Sequence, residues 1–276
     1  MPKEARTELL FSRTCRGLER IVSKPSPENV HAFRTAARRL ETFLQAAAPN
    51  ANRKLLKRLG RWRRRVGTLR DVDVQLKALR SLKIPEEPGR KSQLIGALLD
   101  LREKRERKLL NRFDKDAQQR LRKGLKKAEQ QSEAIAKAVA EPLELAKTML
   151  LEFAKQQTAM TEESVHEYRL RCKRIRYIAE LSDSAQAKAL ADRLVRIQDA
   201  TGDWRDWQIL TATAEAHFAD VPRSALLTAL RNVTHAKFRD AVQACTELRS
   251  EVLAQESQRK AATSVRPPRA AAAANA

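Results

Sequence analysis

Apolar residues recur every three or four positions along almost the whole chain, the spacing that lays a single stripe along a helix. Over residues 30–44, Phe33, Ala37, Leu40 and Leu44 share one side of a helical wheel, and His31, Arg34 and Arg38 share the other. The same division returns over residues 165–179. There Tyr168, Cys172, Ile175 and Ala179 form the apolar stripe, and His166, Arg169, Lys173 and Arg176 the polar one. A further segment sets Leu55, Leu59, Trp62 and Val66 against a broad face of Lys54, Lys57, Arg58, Arg61, Arg64 and Arg65.

These segments share one register. His31 lies 135 residues before His166, and Gly67-Thr68-Leu69-Arg70-Asp71 lies 135 residues before Gly202-Asp203-Trp204-Arg205-Asp206. Ser26 and Thr161, both suited to cap a helix, keep the same offset, and Pro27 then takes a first-turn position where its missing N–H costs nothing. The chain therefore reads as two homologous halves, 1–138 and 139–256, of about four helices each.

The predicted opening helices are Glu4–Val22 and Glu141–Gln157, each followed by a motif helix. The third pair covers Asn52–Val66, continuing past Gly67, and Gln186–Thr201. Gly67 there either kinks the helix or lets a neighbour approach closely. Pro-containing connections at 83–89 and 220–222 lead to polar helices at Lys91–Phe113 and Arg223–Leu253. A charged helix, Asp116–Ala138, bridges the halves, and residues 257–276 read as a basic tail without fixed structure.

Composition supports an all-α class: 7 Gly and 10 Pro in 276 residues are too few for a turn-rich β protein. Three separated cysteines suit a reducing compartment better than a disulfide framework. The first residues lack an apolar leader core, and no run reaches the roughly 18 apolar residues of a membrane helix. The expected setting is the cytoplasm, with no membrane association.

Charge changes the picture most. Lys and Arg number 56 against 34 acids, a net charge of +22. Residues 1–140 hold 36 of the basic residues and 16 of the acids. An ordinary solvated helix face mixes signs through i,i+4 pairs, whereas no acid falls between Arg53 and Arg70. A further set, Lys104, Arg107 and Lys108, sits at i, i+3 and i+4 on the next helix. Of the six third-helix cations, only two persist in the second half, as Arg193 and Arg196. Merged stripes of this density point to a polyanion ligand.

The duplicated His-x-x-Arg and Gly-x-x-Arg-Asp segments resemble the conserved histidine α-helical domain, the CHAD family, over about residues 4–255. The resemblance implies two antiparallel four-helix bundles related by pseudo-twofold symmetry. It also implies binding of inorganic polyphosphate, with some members found on polyphosphate granules. Many members are fused to a triphosphate tunnel domain, for which this chain has no β-rich stretch. The family's basic stripe falls on His31, Arg34, Arg38 and Arg39, and on His166, Arg169, Lys173 and Arg174. Asp192, Asp199 and Ala200 replace Lys57, Arg64 and Arg65, so the first half is expected to contribute most of the affinity.

Arg suits such a ligand because its planar fork bonds two phosphate oxygens at once. Signals for catalysis are poor. His31, His166, His217 and His235 lack metal-ligand spacing, and no Gly-rich phosphate loop is present, so no catalytic residue, metal or cofactor is expected. Arg70-Asp71 and Arg205-Asp206 read as networks tying helices together, and Trp62, Trp204 and Trp207 as packing residues. Nucleic acid is the rival ligand, since any chain of this charge binds DNA at low salt. Aromatics are only 4% and do not alternate with the basic residues, against base stacking. A scaffold recruiting an acidic protein is the third reading.

Overall fold

The computed structural model describes residues 3–84, 88–131, 134, 141–156, 159–220 and 224–264. The described residues form helices joined by short connections, with no strand among them. In chain order these are α1 (Lys3–Ser23), α2 (Pro27–Ala47), α3 (Arg53–Ser81), α4 (Pro88–Arg112), α5 (Lys115–Glu129), α6 (Pro142–Lys155), α7 (Glu162–Ala179), α8 (Ala185–His217) and α9 (Ala225–Ser264).

Local chemistry sets the boundaries. Ser26 caps α2 by accepting from the Asn29 amide at 3.3 Å, with Pro27 in the first turn. Thr161 caps α7 through a reciprocal pair: the Ser164 amide donates to its hydroxyl at 3.3 Å, and its own amide donates to Ser164 Oγ at 2.9 Å. Asp114 and Ser184 cap α5 and α8 by accepting from the Ala117 and Ala187 amides. The third helix continues past Gly67 as its pattern predicts, and α8 runs beyond the predicted end at Thr201. Both α3, at 29 residues, and α8, at 33, pass through Gly67 and Gly202 without interruption. α9 continues to Ser264, into a stretch that composition assigns to the tail, while 265–276 lie outside the described residues. Of the predicted Asp116–Ala138 helix, α5 covers the part up to Glu129, and 135–138 lie outside the described residues.

Three large apolar cores hold the helices together. The first joins Phe11, Leu18, Phe33, Leu40, Leu59 and Leu121 from α1, α2, α3 and α5. The second joins Phe153, Tyr168, Cys172, Leu194 and Leu248 from α6 to α9. The third draws on both halves: Val72, Leu76 and Leu79 of α3 and Leu94 and Leu98 of α4 pack with Leu210 and Ala214 of α8 and Leu226, Leu227 and Leu230 of α9. Thus α3 and α8 each serve their own half with the N-terminal part and the shared core with the C-terminal part. The α2 and α7 helices also touch across the halves. Trp62 meets Phe113 edge-on at 3.8 Å, Trp204 is fully buried against Phe238, and Trp207 packs on the shared core.

Candidate functional site

The contacts of α2 with α7 and of α3 with α8 bring the polar stripes of the two halves face to face. Between them lies a cavity of about 170 Å³, lined by His31, Arg34, Thr35 and Arg38 of α2, Arg63, Arg70, Asp71 and Val74 of α3, Arg169, Lys173 and Tyr177 of α7, and Asp206 of α8. Six cationic side chains face two carboxylates in this space.

Glycine positions the innermost arginines. A Cβ on residue 67 would collide with Nη1 of Arg34, so the guanidinium lies in the space that the missing side chain leaves on α3. At the equivalent place in the second half, a Cβ on residue 202 would stand 3.6 Å from Arg169 Nε. Of the two readings of Gly67, the helix takes close approach over a kink. Gly67 also sits in a stripe with Arg63, Arg70 and Val74, at i, i+4, i+7 and i+11, which is the face that α3 presents to the cavity.

Burial, helped by neighbouring cations, lowers Arg34, Arg38, Arg169 and Lys173 below their ordinary values. Burial lowers the Lys173 ammonium, helped by Arg169, Arg38 and Arg34, to about 7 from an ordinary 10.5. His31, which keeps solvent contact, is held below its ordinary value by partial burial and then by Arg70, Arg34 and Lys173. His166 is lowered by burial and by Arg205, Arg169 and Lys173. Both imidazoles are therefore neutral near pH 7 and can donate one N–H each. Asp71 and Asp206 are pushed up by burial, against the pull of Arg34 on Asp71 and of Arg169 on both. The carboxylates work crosswise: Asp71 feels Arg169 and Arg205 of the other half, and Asp206 feels Arg70. Each carboxylate thus lies in the field of arginines from the opposite half.

Not every expected cation reaches the cavity. Arg39 is engaged by Glu180 at 3.1 Å across the halves, and Arg176 meets the same carboxylate at 3.3 Å. Arg193 pairs with Glu251 on α9. Arg65 lies over the Trp62 ring, and Arg58 donates to the Arg120 carbonyl. Lys54, Lys57, Arg61, Arg64, Lys104, Arg107, Lys108, Arg174 and Arg196 are exposed on outer helix faces, with Arg107 paired to Glu103 at 3.7 Å. Sequence reasoning missed Arg63, Thr35 and Tyr177. Arg63 lies off the wheel face that carries the other α3 cations and is held by Glu41 at 2.5 Å. Its signal was the spacing through Gly67. Among the described residues, no group of three His, Cys, Asp or Glu side chains is placed to hold a metal ion.

The fold is that of a helical protein in which α2 and α3 meet α7 and α8 along cationic stripes. The chain belongs to the CHAD domain family, whose model matches residues 6–215. It is similar in structure to the crystal structure of the CHAD domain from the plant Ricinus communis, with a TM-score of 0.67, 17% identity, and coverage of 91% of this chain and 90% of that one. No curated protein matches the chain. Among the described residues, no helix is long and apolar enough to cross a membrane.

Proposed function

We propose that this protein binds inorganic polyphosphate in the cavity between its halves, holds it without turning it over, and can thereby associate with polyphosphate granules. The observation that carries this reading is the convergence of Arg34, Arg38, Arg63, Arg70, Arg169 and Lys173, from three helices, on one space of about 170 Å³. Family membership agrees with it. Excess positive charge held out of water favours an anion that brings several charges at once. A single file of phosphates can enter such a space, whereas a nucleic-acid duplex would meet only its rim. Tyr177, the tyrosine in the lining, is only 7% exposed and already lies beneath Arg39 and Arg176, which makes it a poor platform for a base.

The test is displacement of labelled long-chain polyphosphate at ~150 mM salt, where weak surface attraction is screened. Duplex DNA, single-stranded RNA and heparin serve as competitors. Selective polyphosphate binding is expected, with a loss of about 100-fold in Arg38→Glu/Arg70→Glu, corresponding to two charge-assisted contacts of roughly 1.5 kcal/mol each. Equal competition by DNA would make the site a general polyanion surface. An unchanged affinity in the double variant would remove the cavity from the binding site.

A further inference from the structure

A second concavity, of about 460 Å³, lies between α1 and α2 and shares His31 and Thr35 with the central cavity. Its rim carries Arg13, Arg16, Arg20 and Arg39, and no carboxylate lines it among the described residues. Arg13, Arg16 and Arg20 are exposed and stand at i, i+3 and i+7, one face of α1 spanning ~10 Å at 1.5 Å per residue. Glu19, the acid between them, is engaged by Arg122 at 3.5 Å. The groove exists because α1 and α2 close tightly at Gly17, where a Cβ would stand 3.2 Å from Phe33 Cα, and small Ala32 and Ala36 continue the floor.

We propose that this groove is the outward path of the bound polyanion: the chain leaves the central cavity past His31 and runs along α1 over Arg13, Arg16 and Arg20. This rests on the reading of the cavity given above and adds a site to it. Two things favour this path over the broader α3 face. The groove adjoins the cavity at His31 and Thr35, which line both, and a concave wall concentrates the field on a thin anion more than an outward helix face does. His31, lowered by burial and by Arg70, Arg34 and Lys173, stands at the junction as a neutral donor. The apolar floor, which includes Leu9 and Leu10, carries no acid to repel the chain.

The experiment uses the full chain and two probes, tripolyphosphate and long-chain polyphosphate, across a salt series. The variants are Arg13→Glu/Arg16→Glu/Arg20→Glu and, for comparison, Lys57→Glu/Arg61→Glu/Arg64→Glu. The α1 variant is expected to bind tripolyphosphate within about twofold of the parent. It should lose about tenfold or more for the long chain, with the salt slope reduced by about two, at roughly 0.7 for each phosphate that is no longer neutralised. The neutral Arg→Gln triple should show the same pattern more weakly, which guards against a folding defect in the Glu triple. Unchanged long-chain affinity and slope would overturn the path while leaving the cavity intact. So would an equal loss for both probes, or a larger slope change in the α3 variant. Failure of the parent protein to bind either probe would overturn the cavity reading itself, and the path with it.

Discussion

The guanidinium of Arg34 fills the space beside α3 that a side chain on Gly67 would take. The pairing explains why a residue with poor helix propensity stands in the middle of a 29-residue helix. It also separates the needs of the site from those of the fold. Gly67→Ala should leave the melting temperature unchanged or raised, because Ala favours the helix by about 1 kcal/mol and only the tip of a flexible side chain must move. Polyphosphate affinity should fall about tenfold, the worth of one charge-assisted contact. Gly202→Ala meets Arg169 at an ordinary 3.6 Å and should raise stability with affinity held within about twofold. Melting curves and binding isotherms on the two variants check both statements, and equal affinity losses would show that Arg34 needs no special room.

Lys173 should make binding proton-linked. With its ammonium near 7, the residue is largely neutral at pH 8 in the free protein, and an arriving polyanion favours the charged form. Binding at pH 8 should take up protons, and affinity should weaken as pH rises above 7. Calorimetry in buffers of different ionisation enthalpy reads the uptake, which Lys173→Met should reduce. Stability follows the same group. Between about 7 and 10.5 the unfolded chain holds more protons than the native one, so the stability of the free protein rises with pH over that window. Lys173→Met should flatten that rise.

Arg102 holds three elements together. It donates to Asp73 at 2.7 Å, to Glu106 at 2.5 Å and to the Pro25 carbonyl at 2.8 Å, tying α3, α4 and the turn before α2. The Asp73 side chain is only 2% exposed. Arg102→Met should cost about 3–5 kcal/mol by leaving that carboxylate buried alone. Glu106→Gln, whose side chain is 29% exposed, should cost less than about 1 kcal/mol. Urea unfolding distinguishes the two.

The shared core should make the halves unfold together. Leu98 is 1% exposed among residues of both halves, and Leu98→Ala should cost about 3 kcal/mol. Single-tryptophan versions retaining Trp62 in the first core or Trp204 in the second half provide local probes. Their denaturation curves should coincide and shift together. Separate midpoints would mean that the halves are independent units.

Much of the fold could be read from the sequence because its signals are local. Ser26 and Thr161 cap the helices that their offset marks, and Phe33, Leu40, Tyr168 and Ile175 occupy the apolar positions that the wheel assigns. The cavity was harder to read because it forms between segments more than 100 residues apart. Nothing in the α7 stripe says that Lys173 faces Arg34 and Arg38 of α2. The charge imbalance between the halves points to exposed Lys57, Arg61 and Arg64, yet the half-buried cluster takes Arg169 and Lys173 from the less basic half. Arg70 stands out in the sequence through its duplicated motif, whereas Arg63 is marked only by its spacing from Gly67, which carries meaning once that glycine faces α2.

The shared core also imposes a schedule on synthesis. Every residue of the first core has been synthesised once Ala128 is added, and those side chains can collapse on one another as soon as they emerge from the ribosome. Val72, Leu76, Leu79, Leu94 and Leu98 find their partners only when Leu210 to Leu230 follow, so a sticky strip on α3 and α4 waits uncovered for about 100 residues of translation, roughly 5–20 s at typical elongation rates. A nascent chain stalled in that interval is the form of this protein most exposed to chaperones and to aggregation.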